Sequence, residues 1–397
     1  MYVRHLGIAL GTMVLAVVPS FGQDYVPRSL PSLGGGHTQG SAMNSKGEVA
    51  GYTQAADHSL HSFFWSRQGG MIDLLPIIGQ NLVITGLNDA DTIAGYQWSI
   101  RAATWDAVNG LRDLGTLGGP TSIAEGVSES GLVVGCADVS PGIGHAFVWT
   151  QTGGMQDLDP NNLGCAFATS RNGIVTGQIG DGKGSFDVFL WTQQQGLKLL
   201  GLGPDAKARS VNDSGAIAGY KGSHAFYWTQ SGGLEDIGAG FGVAVNNRGQ
   251  VLFDGPGGPF LWSHSSGAHK VPQLGTGWAS VALNDAGQIL IRASERTRVM
   301  TPAIKVSVTS SANPSQVGQN VTFTATATSV QGPPPDGELI VFRVSNKVLA
   351  KVPLAGGTAS VSTSKLTAGS HKVTAQYVGD VNYFAKKSPA LTQVVNP

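Results

Sequence analysis

The sequence predicts an all-β chain, a seven-bladed β-propeller followed by an immunoglobulin-like β-sandwich. Three observations predict it. A Trp-ending segment recurs six times, at spacings of 40, 44, 42, 37 and 34 residues, within the range of propeller blades. Each unit consists of short β-type runs divided by Gly, Asn and Asp, and no apolar pattern of period 3.6 is long enough for a helix pair. Beyond Lys305 the Trp and the repeat both vanish, and Ser, Thr and Val dominate. Composition agrees: 57 of 397 residues are Gly, as many tight turns require, and charged residues make up only 13%, with six Glu, which argues against long helices. The formal charge is zero and no more than two Lys or Arg stand in a row. A nucleic-acid partner and a polybasic membrane binder are therefore excluded.

The first element is a leader. Arg4 precedes an uncharged apolar run, Leu6 to Val18, too short to span a bilayer as a mature helix. Small residues at Ser20 and Gly22 place cleavage after Gly22, so residues 1–22 read as a secretory signal peptide. The mature chain is expected to be secreted, at the cell surface or periplasmic, with no integral span, since no later stretch reaches 18 uninterrupted apolar residues.

The propeller is expected over residues 24–304, with four strands per unit. The first strand of each unit ends in Asn-x-x-Gly or a variant: Asn44/Gly47, Asn88/Asp91, Ser128/Gly131, Ser170/Gly173, Asn212/Gly215, Asn246/Gly249 and Asn284/Gly287. This is hairpin-turn chemistry, Gly supplying positive φ and Asn bonding the local backbone. A second strand follows at once, as in Glu48 to Tyr52. The third ends in the repeat Trp, at 65, 105, 149, 191, 228 and 262, and the fourth follows a Gly-containing turn, as in Met71 to Leu74 and His269 to Leu274. The seventh unit takes Arg298 to Ile304 as its third strand and then stops, one strand short. Val26 to Leu30, with the exit Pro31-Ser32-Leu33-Gly34-Gly35, mimics a fourth strand. A ring completed by the N-terminus leaves no exposed edge.

In order within a unit, the repeat reads Asn-x-x-Gly, Val/Ile-x-Gly, His-Ala-Phe-x-Trp and Gly-Gly-Met/Leu-x-Asp-Leu, with His-Ala-Phe at 145–147 and 224–226. Over about residues 28–304 it resembles the bacterial extracellular HAF-repeat family. That resemblance implies an extracellular repeat protein and brings no defined reaction or ligand.

Residues 305–397 are expected to form the sandwich, from runs at 305–311, 320–329, 338–345, 348–354, 358–364, 371–378 and 391–395. The segment resembles bacterial Ig-like repeat domains at Asn313-Pro314-Ser315, Gly318 to Phe323, Gly369-Ser370-His371 and Tyr377-Val378-Gly379-Asp380. Such modules space, display or adhere.

Three units pair a His with an Asp 12 residues later: His61/Asp73, His145/Asp157 and His224/Asp236. Folded through the hairpin, each pair lies on one face. Repetition around a ring points to a blade-stabilising contact rather than three catalytic dyads. Cys136 and Cys165 should share one rim of adjacent blades; a disulfide suits an exported chain, and two buried thiols are the alternative. No metal, cofactor or nucleophile signature is present; Asp181-Gly182 and Asp336-Gly337 are ordinary turn pairs. The propeller holds only Glu48, Glu125, Glu129, Glu235 and Glu295, and these nominate no carboxylate pair for glycoside hydrolysis. Ligand candidates are the departures from the repeat at strand ends and connections: Trp98, Trp278, Arg101, Arg209, His37 and His58. The reading is a non-enzymatic, exported binding or structural protein for a cell-surface glycan or an extracellular protein, with the sandwich for spacing or adhesion. The alternative is a polysaccharide hydrolase or lyase with its site in the channel.

Overall fold

The computed structural model describes residues 24–180, 185–272 and 277–397. The leader expected over 1–22, the Asp181-Gly182 turn and the end of the run His269 to Leu274 lie outside the described residues. Among the described residues, seven four-stranded antiparallel sheets precede the C-terminal sandwich. We number the blades one to seven by their inner strands: Gly34–Met43, Leu82–Leu87, Ser122–Val127, Gly164–Thr169, Ala206–Val211, Phe241–Val245 and Ala279–Leu283.

Apolar packing arranges these sheets in a ring. Among the described residues the propeller has seven buried clusters, and each straddles two neighbouring blades. One joins Leu290 and Val299 of blade seven to Val49, Phe63 and Trp65 of blade one. A four-stranded sheet cannot bury both its faces alone, so stability resides in these seams. The repeat Trp belong to them: Trp65, Trp149, Trp228 and Trp262 are buried and Trp105 and Trp191 partly so.

The ring closes through the N-terminus. Tyr25–Ser29 pairs antiparallel with Thr297–Pro302, Val26 opposite Thr301, as the outer strand of blade seven. That strand would otherwise present an open row of amides. One four-residue helix, Leu75–Ile78, interrupts the connection from blade one to blade two; the strand pattern gave no sign of it.

Only Ala303 and Ile304 separate blade seven from Lys305–Ser310, the first strand of the sandwich. Its sheets, of three and six strands, enclose Val321, Phe323, Ile340, Phe342, Val373 and Tyr377. Ala286, in the inner-strand turn of blade seven, packs into this same core. Arg67 of blade one donates to the carbonyls of Asp380 (3.1 Å) and Tyr383 (3.0 Å), and Tyr383 donates to the Ala286 carbonyl at 3.2 Å. Gln331 Nε2 donates to the Tyr25 hydroxyl at 2.9 Å. The sandwich is thus docked on the rim that carries the inner-strand turns.

Candidate ligand-binding channel

The seven inner strands share one irregularity. Each carries a β-bulge against its neighbour, at Ser41, Thr85, Glu125, Phe167, Arg209, Val243 and Val281. An extra residue opposite none on the partner strand bends the backbone and re-aims the side chain. All seven line a central cavity of about 450 Å³. The Val/Ile-x-Gly signature belongs to the same device. A Cβ on Gly51, Gly95, Gly135, Gly177 or Gly219 would collide with the carbonyl oxygen of Gln39, Val83, Ile123, Cys165 or Lys207, two residues before the bulge.

The turns at one mouth form a belt. Each turn Asn accepts from backbone N–H groups of its own turn; Asn44 Oδ1, for example, takes Lys46 N (3.1 Å) and Glu48 N (3.0 Å). The Nδ2 atoms donate to the next blade: Asn44 to the Asn88 carbonyl (3.2 Å), Asn88 to Ser128 (2.9 Å), Asn212 to Asn246 (3.0 Å), Asn246 to Asn284 (3.1 Å) and Asn284 back to Asn44 (3.3 Å). Ser128 and Ser170, too short to reach, interrupt the belt on blades three and four.

The residue after each turn Asn or Ser makes a second ring, charged on five blades (Asp89, Glu129, Arg171, Asp213 and Asp285) and neutral at Ser45 and Asn247. Asp89 accepts from the Ser45 N–H (2.9 Å), Asp213 from Asn172 N (3.0 Å) and Asp285 from Asn247 N (2.7 Å), while Glu129 accepts from Asp89 N at 3.0 Å. Arg171 spans this mouth: its guanidinium lies 2.9 Å from Asp89, 3.8 Å from Glu129 and 3.8 Å from Asp285. Lys46 sits at the edge, donating to the Asp89 carbonyl at 2.5 Å and shared with Glu48 and Asp91. Burial, and then the neighbouring Asp89 charge, push the Glu129 carboxyl up from its ordinary range.

Deeper in the channel the bulge residues differ in chemistry from blade to blade. Glu125, Phe167 and Arg209 stand on consecutive blades, with Ser41, Thr85, Val243 and Val281 completing the circle. Burial pushes the Glu125 carboxyl up, and the Arg209 charge pulls it partly back. Glu125 and Arg209 make no hydrogen bond or ion pair within 4 Å among the described residues. Behind this arc Cys136 and Cys165 form a disulfide, Cα–Cα 4.7 Å, joining blade three to blade four. The Glu125 carboxylate lies within 4.8 Å of both sulfurs, but bonded sulfurs offer no thiolate to a metal.

The other sequence candidates lie at the opposite rim. His61, His145 and His224 bond their Asp partners at 2.8, 2.7 and 2.8 Å through Nδ1. The second carboxylate oxygen explains the repeat: Asp73, Asp157 and Asp236 accept from the backbone N–H of Leu75, Asp159 and Gly238, capping the end of the fourth strand in blades one and three and its bulge in blade five. In blade two Arg101 replaces His, 3.3 Å from Asp113, and Asp113 caps Gly115 N at 2.8 Å. In blade four Asp187 reaches the exit directly, accepting from Gly201, Leu202 and Gly203. Arg101 thus belongs to the structural device.

Trp98 is 74% exposed at a hairpin tip. His58 holds a positive-φ turn position (φ 67°), and His37 stacks on Tyr52. Trp278 packs against the seam between blades six and seven under the Arg298 guanidinium, 4.7 Å from its ring centroid. The structure brings these four to no common site. Of the six candidates only Arg209 enters the channel. Phe167 was not singled out by the sequence reading, and Glu125 only as one Glu among five. The signal was present: all seven channel residues stand three positions before the turn Asn or Ser.

No curated protein matches the chain. Among solved structures, the extracellular domain of a one-component system from B. thetaiotaomicron aligns with TM-score 0.49 and 10% identity over 94% of this chain and 58% of its own. The extracellular domain of a hybrid two-component system from the same organism gives 0.47 and 10% over 94% and 60%. A gluconolactonase from Xanthomonas campestris gives 0.37 and 12% over 54% and 82%. The chain spans less than two thirds of the length of the first two. Residues 308–396 match the model of the bacterial Ig-like domain, group 3, and the C-terminal sandwich is a domain of that kind.

Proposed function

We propose that the protein is an exported, non-enzymatic binding protein whose propeller channel captures a small polar ligand and whose Ig-like domain displays the propeller. One observation carries the reading. Turn, Trp, His–Asp and Gly positions repeat from blade to blade, and repeated positions serve packing. The channel positions do not repeat: a carboxylate, an aromatic ring and a guanidinium converge in a concave site, the arrangement by which ligand pockets fix orientation. The leader supports export. The test is a binding screen of glycans and small metabolites against the mature chain and its Phe167→Ala variant, with every bound compound assayed for cleavage. Binding that Phe167→Ala removes, without product, supports the reading; binding indifferent to channel substitutions sinks it.

Two observations favour a hydrolytic alternative. Four carboxylates, Asp89, Glu129, Asp213 and Asp285, meet at the mouth, but each already holds a neighbouring turn's N–H. At the far rim, Ser59 Oγ lies 2.8 Å from His61 Nε2, and His61 Nδ1 lies 2.8 Å from Asp73, a serine-triad geometry. The Ser59 hydroxyl is, however, 2.5 Å from Asp57 Oδ1, which claims its proton. A fluorophosphonate probe is expected to leave Ser59 unlabelled; labelling abolished by His61→Ala would establish the hydrolase.

A further inference from the structure

The channel charges divide into two kinds. Those at the mouth are saturated by turn amides and by Arg171. Glu125 and Arg209, two blades apart with Phe167 between them, are not. Glu125 is largely removed from water, where a carboxylate without a partner gains most from a complementary charge. Arg209 is exposed to the channel solvent with its fork of donors free, a geometry suited to a carboxylate.

This arc carries one negative and one positive group. A simple anion entering it would satisfy Arg209 and face Glu125; a simple cation would do the reverse. A neutral polyol would leave both charges paired only with dipoles. At the mouth, four carboxylates against Arg171 and the edge Lys46 set a negative field that opposes the entry of anions. Phe167 in the arc, with Val243 and Val281 across the channel, offers apolar surface beside the charges. A cavity of about 450 Å³ lies within the size range of small-molecule sites.

We propose that Glu125, Phe167 and Arg209 form a subsite for a zwitterion, a free amino acid or short peptide with an apolar side chain. Its ammonium binds Glu125, its carboxylate binds Arg209 and its side chain lies on Phe167. The proposal rests on the channel-binding reading above and specifies its ligand class.

The test is calorimetric titration of the mature full chain with L-leucine, leucyl-leucine, N-acetylleucine, leucinamide, glucose and glucuronate. Expected is binding of leucine or leucyl-leucine, with blocking of either terminus weakening it by about tenfold or more, the loss of one charge-assisted contact. Glu125→Gln should abolish the preference for a free ammonium and leave the preference for a free carboxylate, and Arg209→Gln the converse. This crossed pattern is not produced by misfolding. No binding of either zwitterion at about 10 mM, a level at which weak millimolar sites register, overturns the proposal. Binding of glucose or glucuronate lost in Phe167→Ala overturns it while the channel-binding reading survives. Zwitterion binding unchanged in all three variants overturns both.

Discussion

At the residue scale, identical pairs differ in worth because their surroundings differ. The His145 and Asp157 side chains are 8% and 17% exposed, whereas those of His224 and Asp236 are 52% and 58% exposed. Removing a buried partner strands the other group, whereas an exposed pair gives up its bond to water. His145→Ala should therefore cost about 1–3 kcal/mol and His224→Ala under about 1 kcal/mol, read as shifts of the urea midpoint. Glu125 makes a prediction with a definite sign. Its folded-state pKa is raised, so its favourable contribution is complete below the ordinary Glu value of 4.5 and lost as pH rises through the folded value. Glu125→Gln should melt higher than wild type at neutral pH, and the two curves should converge below pH 4.5. Equal melting temperatures at both pH values would refute the burial argument.

At the element scale, the bulge and its facing Gly act as one unit. Gly135→Ala drives a methyl into the Ile123 carbonyl, so the bulge that aims Glu125 must shift. The expected cost is about 2–4 kcal/mol, in the class of strained backbone positions, with loss of any channel ligand; a variant of wild-type stability would show that the bulge does not need Gly. The Cys136–Cys165 disulfide fastens blade three to blade four where the turn belt is interrupted. It closes a sequence separation of 29 residues, for which the loop-entropy model gives about 3–4 kcal/mol. Reduction, or Cys136→Ser with Cys165→Ser, should lower the denaturation midpoint accordingly.

At the scale of the whole molecule, Tyr25 joins three features. It lies in the strand that closes the ring, packs in the seam between blades six and seven, and accepts from Gln331 of the Ig-like domain. Burial pushes its phenol up to about 12 from 10.0. Its contribution is complete below pH 10 and lost as pH rises through about 12, on the order of 2–3 kcal/mol. Burial raises Tyr377, Tyr383 and Tyr227 as well, so alkaline titration followed by phenolate absorbance should show several late-ionising Tyr. Tyr25→Phe should reduce their number by one and remove the stability loss centred near pH 12. Arg67, Tyr383 and Ala286 join the two domains at the same rim, so the Ig-like domain is seated beside the channel mouth rather than held on a linker.

Local patterns determined much of this by themselves. Trp at one repeat position, Asn-x-x-Gly turns and Gly-bounded short runs are signals of near neighbours in the chain, and they were enough for the all-β blades, the borrowed strand at Val26 to Leu30 and the His–Asp contacts. The channel was harder to read because its members lie about 35–45 residues apart and face one another only after the ring has closed. A bulge changes which face a residue takes, so period-two alternation misplaces Glu125 and Phe167. Arg101 looked like a departure from the repeat, yet in space it performs the role of His. Pairing and turn chemistry act over a few residues and are written in order along the sequence. Convergence at an axis is a property of the closed ring, and only the tertiary structure decides it.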